Sequence, residues 1–239
     1  MSRARQARQV DGVRKAIEGK TFTELSDRQL PDVLGNYSLR GCVFEACHFG
    51  YTSVSKRRLI KNVKLVDCKA IPSSGFGSPV LEDVDAHNLA TSGLCIAYGA
   101  VYKHVRISGK CGSFMLNIAV GTPREEKAWR KANDKFYETV DWALDISEGE
   151  FAGLDIRGVP ADLIRRDPET QVVVRRERVE AMRHVWEKRD VAGWPVSFGL
   201  MKMFDLPDKV LVAAKRSKNF ARDLAALKLL RRLGVAEPD

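Results

Sequence analysis

The stretch Ile60-Lys61-Asn62-Val63-Lys64-Leu65 is echoed by Leu81-Glu82-Asp83-Val84-Asp85-Ala86 and again by Tyr102-Lys103-His104-Val105-Arg106-Ile107, each copy 21 residues after the last. In every copy the first, fourth and sixth residues are apolar and the fifth is charged, the alternation of a half-buried strand. Leu39, Cys42 and Phe44 extend the series one copy toward the N-terminus. If the copies stack as parallel strands, about 4.8 Å apart, Lys64, Asp85 and Arg106 form an outward column of alternating charge that opposes slippage by one copy. Gly41, Asn62 and Asp83 are turn-forming types and predict a corner ahead of each strand, with His104 in the fourth place. No copy can bury its apolar side alone, so the pattern predicts a solenoid in which stacking creates one continuous core.

The next copy is delayed. The pattern returns at Leu144-Asp145-Ile146, which stands 39 residues after Val105 in place of 21. Thr122-Pro123-Arg124-Glu125 reads as an N-cap, a first-turn proline and a capping-box glutamate. Trp129, Ala132 and Phe136 follow at helical spacing, so a helical insertion is expected near 122–139, with Asp145 continuing the charge column after Arg106.

A finer period of five runs through Leu39, Phe44, Phe49, Val54 and Leu59, and through Ile146, Phe151 and Ile156. Cys42-Val43-Phe44-Glu45-Ala46, Cys47-His48-Phe49-Gly50-Tyr51, Gly149-Glu150-Phe151-Ala152-Gly153 and Leu154-Asp155-Ile156-Arg157-Gly158 resemble the repeats of pentapeptide-repeat proteins. The resemblance implies a right-handed quadrilateral β-helix in a bacterial protein, often non-enzymatic, with a role in resistance, immunity or regulation. The relatives that bind topoisomerases by imitating DNA need an acidic surface, which this stretch lacks.

The expected fold class is therefore mainly β: a right-handed parallel β-helix of about 21 residues per coil, with five to six coils and helical elements at both ends. Residues 1–35, with Val10, Val13 and Ile17 at helical spacing, are expected to form an N-terminal helical cap. Residues 36–175 form the β-helix and its insertion, with Val172-Val173-Val174 as one last strand, and 176–239 a C-terminal helical segment. In that segment Val179, Met182, Val185 and Trp186 make one apolar face, Gly193-Trp194-Pro195 ends a helix, and another opens at Leu206-Pro207-Asp208.

The net charge of +9 is unevenly spread: residues 1–15 carry +4 and residues 209–235 carry +7, which leaves −2 between them. A basic, amphipathic C-terminal segment is one class of surface for nucleic acid or other anions, and Lys215, Arg216, Lys218, Arg222, Lys228, Arg231 and Arg232 are the candidate binding residues. The apolar stripe of Phe220, Leu224 and Leu227, continued by Leu230 and Leu233, equally suits a cap packed on the end of the solenoid. Five cysteines without a C-x-x-C pair are expected as buried thiols, with no metal and no cofactor. No apolar run reaches the length of a membrane span, and the N-terminus lacks a signal-peptide core, so a cytoplasmic protein is expected.

The most enzyme-like cluster is Asp83, Asp85, His87 and His104, where carboxylate and imidazole on neighbouring coils suit general acid–base chemistry. Turn preference accounts for Asp83, and Lys64 and Arg106 are structural neighbours for Asp85. The sequence points first to a non-catalytic interaction protein that engages a protein partner. A nucleic-acid or anion-binding module comes second, and a β-helical carbohydrate-active enzyme third. An uncovered coil end also offers a contact for a homodimer.

Overall fold

The computed structural model describes residues 14–26, 31–49, 54, 56–71, 75–119 and 121–238. The chain opens with β1 (Lys15–Glu18), β2 (Thr21–Thr23), β3 (Val33–Arg40), β4 (Val43–Glu45) and β5 (His48–Phe49). Next come β6 (Leu59–Val66), β7 (Lys69–Ala70), β8 (Gly75–Phe76), β9 (Val80–His87), β10 (Ala90–Thr91), β11 (Leu94–Tyr98) and the long β12 (Val101–Asn117). After α1 (Pro123–Tyr137) follow β13 (Leu144–Asp145), β14 (Gly149–Ile156) and β15 (Ile164–Arg165). The last part comprises β16 (Gln171–Arg175), α2 (Arg176–Ala181), α3 (Arg183–Trp186), α4 (Trp194–Met203), β17 (Asp208–Val212) and α5 (Phe220–Arg232).

Hydrogen bonding gathers these strands into an eleven-stranded sheet ordered β1-β3-β6-β9-β12-β11-β8-β5, with β13, β14 and β15 joined to it, a four-stranded sheet β10-β7-β4-β2, and a two-stranded sheet β16-β17. Pairing is parallel except in β16-β17. The architecture is thus mixed α/β: a large, mostly parallel sheet accompanied by five helices.

This corrects both the expected mainly-β solenoid and the pentapeptide-repeat likeness. A chain folding in fives turns a corner every few residues, whereas β3, β6, β9 and β14 each run for eight residues and β12 for 17. Of Leu39, Phe44, Val54 and Leu59, only Leu39 is buried. Phe151 and Ile156 are both buried, but on the single strand β14.

The register of the 21-residue series explains what its apolar columns do. Val63 pairs with Val84 and Val84 with Val105; Lys64, Asp85, Arg106 and Asp145 also follow one another across the sheet. The first step differs, because Tyr37 and Leu39, not Cys42 and Phe44, lie beside Val63 and Leu65. Phe44 belongs to β4 and pairs with Ala70. Of the expected corners, Gly41 lies in the bend between β3 and β4 with φ of 59°, whereas Asn62, Asp83 and His104 are kinks within continuous strands, with φ of 52°, 53° and 55°, and Asn36 makes the matching kink in β3 with φ of 61°. Asn and Asp tolerate that conformation better than most residues.

The described residues of the expected N-terminal helical cap are strands: Ile17 lies in β1, while Val10 and Val13 fall outside the described residues. The insertion at Thr122 is α1, and its capping box is formed, with the Glu125 carboxylate accepting from Thr122 N at 2.8 Å. Two readings of the C-terminal third are corrected. Leu206-Pro207-Asp208 leads into β17, not a helix, and Gly193-Trp194-Pro195 starts α4 instead of ending a helix.

The ribbon β16-β17 lies between two apolar cores. Val173, Val210 and Val212 join the core of the large sheet, while Val172, Val174 and Leu211 join a second core with Trp186, Phe198, Met201, Leu227 and Leu230. Burial on both faces explains the unbroken apolar run Val172-Val173-Val174. Lys209, at 2% side-chain exposure, fastens the ribbon by pairing with Asp155 and donating to the Ile156 carbonyl at 3.1 Å. Arg157 Nε donates to the same Asp155 carboxylate at 2.8 Å.

Burial alone would raise the Asp155 carboxyl, but Lys209 and Arg157 outweigh it and hold it below the ordinary carboxylate value. Its folded pKa therefore lies below the unfolded value of roughly 3.9. The contribution is complete above that pH and lost as pH falls through the folded pKa. Asp155→Asn is expected to cost about 3 kcal/mol at neutral pH by leaving Lys209 buried without its carboxylate. Urea unfolding across an acid pH series checks this, and the gap between variant and wild type should close toward low pH.

Candidate functional site

The kink at His104 turns its imidazole toward two carboxylates. Nδ1 stands 3.2 Å from Asp83 Oδ1 and Nε2 2.6 Å from Asp141 Oδ1. The ring lies 4.8 Å from that of Trp142, over which the Arg165 guanidinium sits at 4.2 Å. Both ring nitrogens are engaged with neighbouring carboxylates, so the imidazole ties β9, β12 and the segment before β13 together. It presents no free nitrogen to a substrate, as general acid–base work requires.

The other members of the expected acid–base cluster are not gathered there. His87 Nδ1 lies 3.1 Å from Ser108 Oγ, its register partner. Asp85 faces outward beside Lys64 and Arg106 in register, but the Arg106 guanidinium reaches Glu148 at 2.5 Å. Asp141 was missed in the sequence because the insertion separates it from His104. Among the described residues no group of His, Cys, Asp and Glu has the arrangement of a metal site.

The basic C-terminal residues differ in how far the rest of the chain engages them. Lys215 pairs with Asp167 at 2.9 Å. Arg216 donates to the Cys111 carbonyl at 2.7 Å, and Arg231 to the Pro168 and Gln171 carbonyls. Arg222 lies 3.5 Å from its neighbour Asp223. Lys218, Lys228 and Arg232 are exposed. The structure thus spends three of the seven candidate cations on holding α5 and the segment before it against the rest of the chain.

A more distinctive surface lies between α2, α3 and α4, where a groove of about 520 Å³ opens. Its floor contains Val179, Trp186, Val191, Phe198 and Met201. Trp186 is fixed by a 2.8 Å hydrogen bond from Nε1 to the Val179 carbonyl and by edge contact with Phe198 at 4.9 Å. Along α4, Pro195, Gly199 and Lys202 face the groove at helical spacing. Beside them Val196 and Met203 are 69% and 72% exposed. Gly199 has open space where a Cβ would stand, so the α4 backbone can be approached closely there.

Charge around the groove leans positive. Arg183 pairs with Glu187 at 2.5 Å, and Arg176 pairs with Asp205. Arg189 and Lys202 have no carboxylate partner among the described residues. The sequence signal is α4 itself, Trp-Pro-Val-Ser-Phe-Gly-Leu-Met-Lys-Met, which carries apolar residues around nearly its whole circumference and so leaves some of them exposed.

The chain matches no protein-family model, no curated protein and no solved structure. No helix among the described residues is long and apolar enough to cross a membrane.

The hydrogen bond from His104 is the leading cause that holds the Asp141 carboxyl below its ordinary value. In His104→Ala the Asp141 titration is expected to move upward toward roughly 3.9, the value of an unperturbed aspartate. Carboxyl-carbon NMR across an acid titration would show this, and an unmoved Asp141 would mean that the bond does not form in solution.

Proposed function

We propose that this chain is a non-catalytic interaction protein in which the large parallel sheet holds the C-terminal helices as a rigid platform, and the groove between α2, α3 and α4 receives a segment of a protein partner. The observation that carries the reading is the exposure of Val196 and Met203 beside a groove floored by buried Trp186 and Phe198. Exposed large apolar side chains next to an aromatic-floored depression favour association, since covering them removes apolar surface from water. Arg189 and Lys202 at the rim favour a segment that combines a large apolar side chain with carboxylates.

The occupied nitrogens of His104 weigh against an outer-face enzyme. The engagement of Lys215 with Asp167, and of Arg216 and Arg231 with backbone carbonyls, leaves fewer unengaged cations for nucleic acid than the charge of +7 implies. Binding there would have to rest chiefly on exposed Lys218, Arg222, Lys228 and Arg232 and would fall steeply with salt.

Selection of a random peptide-display library against the full chain tests the reading. Enriched peptides are expected to pair Leu, Phe or Trp with Asp or Glu, and to bind Val196→Glu at least tenfold more weakly, about 1.4 kcal/mol. Lys228→Glu, an exposed position on α5, which does not line the groove, should bind them as the wild type does. Failure to enrich, or enriched peptides indifferent to Val196→Glu, would sink the proposal.

A further inference from the structure

A second cavity is independent of the groove. It lies within the core of the large sheet, has a volume of about 260 Å³, and is lined by aliphatic and aromatic residues together with Tyr37, Cys47 and Cys95. This exceeds the ~150 Å³ of an apolar cavity that stays dry and admits a benzene-sized guest.

Its origin is legible in one row of side chains. β2, β4 and β7 set Phe22, Phe44 and Ala70 in register. The rings of Phe22 and Phe44 stack with centroids 5.4 Å apart and planes 10° apart, and at Ala70 the aromatic series stops. The space of a third ring becomes part of the chamber, which Ala70 lines together with Val63, Leu65 and Val84. Around it Ile17, Leu34, Leu65 and Leu81 are only half-buried, while Leu144 and Phe151, elsewhere in the same core, are 0% and 1% exposed. Unfilled apolar space forfeits both dispersion contacts and removal of surface from water, so a hydrocarbon guest gains what the chain leaves unmade. A guest with polar groups along its length would lose hydrogen bonds there.

A charge stands beside one of the lining rings. The Lys20 ammonium lies over the ring of Phe22, 5.2 Å from its centroid, and Phe22 lines the chamber. Lys20 is exposed. We propose that the chamber binds the hydrocarbon tail of an aliphatic carboxylate and that Lys20 receives its carboxylate.

The test titrates the full chain with decanoate and, separately, with decanol, followed by calorimetry. Decanoate is expected to bind saturably, one per chain, and at least fivefold tighter than decanol. Lys20→Met should abolish that advantage and leave decanol binding unchanged. Ala70→Phe, which continues the aromatic stack into the chamber, should weaken both ligands more than tenfold while melting no lower than the wild type. If Ala70→Phe does not fold, the ring-proton signals of Phe22 and Phe44 in the wild type decide, since decanoate in the chamber must shift them. No saturable binding, unshifted rings, decanoate no tighter than decanol, or undiminished binding to folded Ala70→Phe would each overturn the proposal.

Discussion

Parallel backbone pairing along β12 is the constraint on which the large sheet depends. Its first half pairs with β9 on one side and β13 on the other, and its second half with β11 and β14. One strand can serve these partners because its backbone departs twice from ordinary strand geometry, at His104 and at Gly109, with φ of 55° and 70°. At Gly109 a Cβ would stand 2.2 Å from Asn88 Oδ1 and 2.8 Å from a ring carbon of His87, so glycine is required for space as well as for conformation. Removing β12 would leave β9, β11, β13 and β14 with unmet backbone donors and acceptors, the costliest omission in a buried sheet.

Charge in this protein is used in two ways. On the outer surface it forms modest contacts, such as Lys61 with Glu82 at 3.1 Å and Arg40 with Asp67 at 3.7 Å, where solvent screening leaves little net stabilisation. At the junction with the C-terminal helices it is more densely partnered, and at Lys209 it is buried. Arg175 reaches Asp162, Asp208 and Glu237 at 2.5, 3.1 and 2.6 Å, and Lys209 meets Asp155. The positive balance of the C-terminus is consequently partly internal, which a count along the chain cannot reveal.

How much the sequence disclosed varied with the range of the interaction. Local signals were legible: the capping box at Thr122 and the left-handed tendency of Asn62 and Asp83 both have immediate chemical causes. So was the register among Val63, Val84 and Val105, because equal spacing carries it. Phe44 was misplaced because a longer connection before β6 shifts the first copy out of step, and apolarity alone does not say which strand a residue joins. The fold class failed for a related reason: a five-residue apolar rhythm fits both a chain turning corners and positions along a straight, bulged strand. At the candidate sites the residue types were visible and their partners were not. Asp141 reaches His104 across 37 positions, and Trp186 joins Phe198 only through the bend before α4.

The ribbon β16-β17 couples the two cores in a way that a simple appended unit would not. Alternate side chains of the same two strands are assigned to opposite hydrophobic interiors. Opening either interior strips one face of the ribbon, and the ribbon's antiparallel hydrogen bonds then lose their burial on the other side. The ribbon is therefore the element through which disruption of one interior reaches the other, and Val172, Val173 and Val174, at 0%, 3% and 0% exposure, are its best-protected positions.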